Sequence, residues 1–64
     1  MMMKKTLEER QTELRALLAT PAGRSELEKL ESRYVAADGR ARPGRTSVIT
    51  YLLVYEREHG LIDG

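Results

Sequence analysis

The chain has no cysteine, no tryptophan and no phenylalanine, and only one histidine and two prolines in 64 residues. Without cysteine there is no disulfide staple, no thiolate metal site and no thiol nucleophile. His59 alone is a poor basis for a transition-metal site, which takes several nitrogen or sulfur ligands, so neither metal nor cofactor is expected. No apolar run approaches the roughly 20 residues that a bilayer-spanning helix needs, and no membrane association is expected. Met1-Met2-Met3-Lys4-Lys5 leads into Thr6-Leu7-Glu8-Glu9 rather than an apolar stretch. That is no signal peptide, and a cytoplasmic location is expected.

An excess of one charge is also missing: 11 basic against 10 acidic residues give a formal net charge of +1. The cations are mostly arginine, which suits fork-shaped recognition of carboxylate and phosphate but is equally produced by GC-rich coding. Length imposes the firmest limit. A chain of 64 residues cannot hold a doubly wound nucleotide fold, and a core of this size supplies only about 3–5 kcal/mol. With no disulfide and no metal, self-association is the expected way to add buried area.

The local signals specify helices. Thr6-Leu7-Glu8-Glu9 is a capping box, a hydroxyl at the cap with a carboxylate three residues on. From there Leu7, Leu14, Leu17 and Leu18 share one arc, with Met3 upstream on the same side. This predicts a helix over 6–19 after a disordered start at 1–5. Thr20-Pro21 opens a second helix over 21–37, with Gly23, Leu27, Leu30, Tyr34 and Ala37 as its apolar arc and Arg24, Glu28, Glu31 and Ser32 facing water. Asp38-Gly39 closes it. A third helix over 46–59 opens at Thr46-Ser47 and stops at Gly60, with Leu61 placed to fold back onto Tyr55 or Glu56 and 60–64 as a tail. The run Val48–Tyr55 is β-branched and aromatic enough to suit a buried strand, but the flanking caps and the Glu56–His59 continuation favour helix. The fold class read here is all-α: a small three-helix domain spanning 1–64, a helical hairpin plus a third, largely apolar helix.

That third helix is apolar nearly all round. Val48, Tyr51, Leu52 and Tyr55 form one arc, Ile49 and Leu53 extend it, and Val54 lies outside it. Two amphipathic partners cannot easily cover so wide a surface. Either the fold is compact with the third helix in its centre, or this helix also forms a dimer seam; the expected protein is a homodimer or higher homo-oligomer, with Tyr51, Leu52, Leu53, Val54 and Tyr55 as the association surface of a non-enzymatic interaction or adaptor protein.

The loop 38–45 carries the other unusual chemistry. Gly39-Arg40-Ala41-Arg42-Pro43-Gly44-Arg45-Thr46 is one substitution from the phosphate-cradling pattern G-x-x-x-x-G-K-[ST]. The preceding segment reads as helix rather than buried strand, arginine stands for the lysine, and no later strand offers a magnesium ligand, so the match is chance spacing. A weaker reading survives. Arg40, Arg42 and Arg45, with Thr46 and Ser47 at a helix N-terminus, form a candidate anion site for a nucleic-acid backbone or an acidic protein surface. A solvated loop whose arginines pair with nearby glutamates is the plainer account. Base reading by the third helix is not expected: the loop is about twice the three or four residues of a helix-turn-helix corner, and the helix shows Val, Ile, Leu and Tyr.

Two further groups have ordinary explanations. Tyr51, Tyr55 and His59 recur at four-residue spacing, which suits a stacking platform or simply aromatic rings at an interface. Glu56 and Glu58 are carboxylates without a second catalytic group, and no catalytic residue is assigned.

Overall fold

A computed structural model describes residues 4–64 and contains three helices in the order α1 (Leu7–Leu18), α2 (Pro21–Asp38) and α3 (Val48–Glu58). Each starts at a hydroxyl cap. At α1 the Glu9 amide donates to Thr6 Oγ1 (3.1 Å) and the Thr6 amide donates to Glu9 Oε1 (3.0 Å), closing the box reciprocally. Those bonds hold the Glu9 carboxyl below its ordinary value of 4.5. At α2 the Gly23 amide donates to Thr20 Oγ1 (3.0 Å) and Pro21 occupies the first helical turn. The cap of α3 is Ser47, whose Oγ accepts the Thr50 amide (3.2 Å), so this helix starts two residues later than 46.

The helix ends use glycine where only glycine is cheap. Gly39 (φ 75°) follows α2 and its amide donates to Val35 O (2.7 Å); Gly60 (φ 69°) follows α3. Beyond Gly60 the Leu61 amide donates to Glu56 O (2.8 Å) and the Gly60 amide to Arg57 O (3.2 Å), the paired bonds of a Schellman ending.

Between α1 and α2 the chain turns in two residues, Ala19 and Thr20, and the helices approach closely at Gly23. A Cβ there would lie 1.9 Å from the Leu17 carbonyl oxygen, so the absence of a side chain sets the crossing. The hairpin buries Leu14, Leu27 and Tyr34 against Leu52 and Leu53 of α3 and Ile62 beyond it. Burying these apolar side chains, at about 1.5–3 kcal/mol each, is the main favourable contribution.

Several sequence expectations change here. The hairpin does cover α3: Leu52 is fully buried and Leu53 nearly so. Ile62 of the final segment adds to that cover, and Val54 is the large apolar residue of α3 that stays exposed. Residues 60–64 are therefore not a tail. Ile62 is 6% exposed, while Leu61, expected to fold back, stays 52% exposed and contributes only its backbone amide. Asp63 pairs with the start of the chain in an isolated parallel bridge to Thr6, its amide donating to Lys5 O (2.9 Å) and its carbonyl accepting the Leu7 amide (2.8 Å). Lys5, placed in the disordered start, is thereby fixed, and its ammonium also pairs with Glu13. The expectations for residues 1–3, including the place of Met3, lie outside the described residues. Leu18 and Ala37, both assigned to apolar arcs, are exposed. No helix among the described residues is long and apolar enough to cross a membrane.

Candidate interaction surface

The loop between α2 and α3 folds back along α3. A tight turn, with the Thr46 amide donating to Pro43 O (3.0 Å), brings the chain to the Ser47 cap. The Tyr51 hydroxyl donates to Arg40 O (3.0 Å) and ties the start of the loop to α3. Between loop and helix lies an open groove of about 330 Å³, with Pro43, Tyr51, Val54 and Tyr55 among its lining and Arg40, Asp38 and Glu58 contributing charge. Val54 is the exposed large apolar side chain of α3, at 42%. Burial pushes the Tyr51 phenol up from its ordinary 10.0, and the negative charges of Asp38 and Glu31 add to that.

The five residues expected to form one association surface are divided. Leu52 and Leu53 point into the core, Tyr51 and Tyr55 are half-buried, and Val54 is exposed. An α3 seam on the folded monomer is thus narrower than the sequence suggests, and the two leucines take no part in it.

The arginines are divided too. Arg42 is held inward: its Nε donates to Glu31 Oε2 (2.9 Å) and its Nη1 to Thr46 O (2.7 Å). Glu31, expected to face water, is half-buried by this pair. Arg40 is exposed and only loosely paired with Asp38 (3.6 Å), and Arg45 is exposed. Thr46 spends its carbonyl on Arg42 and Ser47 spends its hydroxyl on the cap. The three arginines do not converge on one anion, and the helix N-terminus already has a side-chain acceptor.

A polar site with no counterpart in the sequence reading lies on the far side of α3. Glu56 is 2% exposed. Arg10 of α1 grips it in a fork, Nε to Oε1 at 2.7 Å and Nη2 to Oε2 at 2.9 Å, and the Tyr34 hydroxyl of α2 donates to Oε2 at 2.8 Å. The third guanidinium nitrogen of Arg10 pairs with Glu13. One carboxylate therefore joins all three helices. Burial and the bond to Glu56 push the Tyr34 phenol far above its ordinary 10.0, and the bonds to Glu56 raise Arg10 further. Every buried side-chain polar atom among the described residues has a partner, so no polar atom of this cluster is buried alone. Glu58, two positions on, is exposed and takes no part in the cluster.

The aromatic spacing is realised in altered form. Tyr34, Tyr55 and His59 stack, with ring centroids 4.0 Å and 3.9 Å apart and planes inclined by 10° and 14°. Tyr34 of α2 takes the place expected for Tyr51, which turns to the loop. His59 Nδ1 lies 2.8 Å from Tyr55 O; a carbonyl only accepts, so Nδ1 carries the hydrogen.

Among the described residues no group of His, Asp and Glu side chains is placed to hold a metal ion. Compared with protein-family models, curated proteins and solved structures, the chain matches none.

Proposed function

We propose that this protein is a non-enzymatic interaction module that self-associates through the exposed strip of α3 facing the loop. The reading is carried by Val54, an apolar side chain left open in the middle of a helix whose other large apolar residues are buried or half-buried. It lies in a groove shared with Tyr51, Tyr55 and Pro43. Tyrosine and proline there add contact area at little entropic cost, since Tyr51 is already fixed by its bond to Arg40 O. The strip is short, about 16 Å for a helix of 11 residues. With a single large apolar side chain exposed on it, the strip offers a small contact, and the association is accordingly weak.

Sedimentation over a concentration series tests it. Wild-type protein dimerises in the micromolar to submillimolar range, and Val54→Asp abolishes dimerisation while leaving helical circular dichroism unchanged. A wild-type chain that stays monomeric at millimolar concentration refutes the reading. Phosphate-backbone binding through the loop is the weaker alternative, because Arg42 is neutralised by Glu31 and the groove carries Asp38 and Glu58.

A further inference from the structure

Tyr34 has what one-electron chemistry at a phenol requires. With no tryptophan and no cysteine in the chain, its three tyrosines are the side chains most readily oxidised by one electron. A phenol that loses an electron becomes a strong acid, so the loss is easiest where a base already holds the hydroxyl. The Tyr34 hydroxyl donates to Glu56 Oε2 at 2.8 Å, within reach for direct proton transfer. Tyr51 instead gives its hydroxyl to the Arg40 carbonyl, which holds a hydrogen bond but cannot carry the proton away. Tyr55 lines the open groove, and its ring lies 4.0 Å from that of Tyr34 in a nearly parallel stack. We propose that Tyr34 is a one-electron donor site for radical oxidants in solution, with Glu56 as its proton acceptor and Tyr55 as the relay to the surface.

The step balances within the chain and one oxidant, a peroxyl or carbonate radical for example. One electron leaves Tyr34 through the Tyr55 ring for the oxidant, which is reduced by one electron. The phenolic O–H bond breaks and its proton passes to Glu56 Oε2. A neutral tyrosyl radical and a neutral Glu56 carboxyl result. Burial and the bond to Glu56 raise the Tyr34 phenol, so it stays protonated beforehand and the electron and proton leave together. Arg10 keeps Glu13 as a countercharge when Glu56 is neutralised. His59, also stacked on Tyr55, is harder to oxidise than a phenol and is no competing donor. At 8% exposure the Tyr34 radical is kept from coupling with a second chain.

Flash photolysis with a ruthenium tris-bipyridine sensitiser and persulfate supplies an oxidant in solution, and transient absorption with electron paramagnetic resonance reads the radical. Wild type gives a neutral tyrosyl radical that lives at least tenfold longer than any formed in Tyr34→Phe, at a rate independent of the concentration of buffer base. Glu56→Gln keeps an acceptor but not a base, and lowers the yield of that radical at least tenfold. Tyr55→Leu slows its appearance without changing its lifetime, and Tyr51→Phe leaves both as in wild type. Circular dichroism confirms the fold of each variant; if Glu56→Gln does not fold, the buffer dependence of wild type decides in its place. A long-lived radical that survives Tyr34→Phe, a folded Glu56→Gln with wild-type yield, or a rate that follows buffer base overturns the proposal. An unchanged rate in Tyr55→Leu overturns the relay.

Discussion

Removing Arg10 while leaving Glu56 in place breaks the buried ion pair that joins the helices. Glu56 receives three hydrogen bonds, two from Arg10 at 2.7 and 2.9 Å and one from Tyr34 at 2.8 Å. Arg10→Ala deletes two of them together with the countercharge, and leaves a carboxylate that is 2% exposed. Breaking a buried pair in this one-sided way costs about 3–5 kcal/mol. Because the Arg10 side chain is 18% exposed, water enters the vacated space and the lower end, about 3 kcal/mol, is the appropriate value. That is most of the stability available to a chain this short, and corresponds to a fall in Tm of roughly 15–20 °C. The control is the triple variant R10M/Y34F/E56L, which removes the charges and the phenol hydroxyl together while keeping the Tyr34 ring on Tyr55. Replacing a buried ion pair by apolar groups of similar volume is near neutral or stabilising, so this variant stays within about 1 kcal/mol of wild type. Urea denaturation followed by circular dichroism measures both. An Arg10→Ala variant within about 0.5 kcal/mol of wild type would refute the buried-pair account.

Other perturbations probe separate parts of the fold. Gly23→Ala drives a methyl into the Leu17 backbone, 1.9 Å from its oxygen, and should cost about 3 kcal/mol or prevent folding, seen as loss of the cooperative thermal transition. Ile62→Ala removes a residue that is 6% exposed and costs about 2–4 kcal/mol in urea denaturation, whereas Leu61→Ala changes stability by less than about 0.5 kcal/mol. In a spectrophotometric titration one tyrosine, Tyr34, should remain protonated well above pH 10, and Tyr34→Phe removes that resistant fraction. Because the folded value is raised, the contribution of Tyr34 is complete below the ordinary 10.0 and is lost as pH climbs beyond it, so alkaline unfolding steepens there.

Helix boundaries were legible because the chemistry that sets them is local. A hydroxyl at Thr6 with a carboxylate at Glu9, Pro21 after Thr20, and glycines at 39 and 60 each act within a few residues. The strand-like composition of Val48–Tyr55 was outweighed by its caps, as the helix Val48–Glu58 shows. Pairing across the fold left fainter traces. Arg10 falls between Leu7 and Leu14 on the buried stripe of α1, and Glu56 follows Leu52 and Leu53 on that of α3. A cation and an anion, each at an apolar position of its own helix, are the sign of a buried pair, and the sign is visible only when both helices are read together. Ile62 leaves no local trace for a related reason: the stop signal at Gly60 ends the helix but says nothing of whether the next residues pack. Arg42 lies beside Arg40 and Arg45 in sequence, but Glu31, on another element, decides where its guanidinium goes.

The parallel bridge between Thr6 and Asp63 makes the described chain a nearly closed ring. Two backbone hydrogen bonds hold together segments roughly sixty residues apart, and the chain entropy lost in closing such a loop is about 4 kcal/mol, as large as the stability expected of the whole domain. A peptide linker joining the two ends would remove that loss from folding, because the unfolded chain would already be closed. The exposed Pro43–Gly44 stretch offers the place to open new ends, since its backbone joins no helix. A circular permutant cut there keeps α1, α2, α3 and the Ile62 segment as one continuous run of packing elements, and sets two segments that now meet only after folding side by side in sequence.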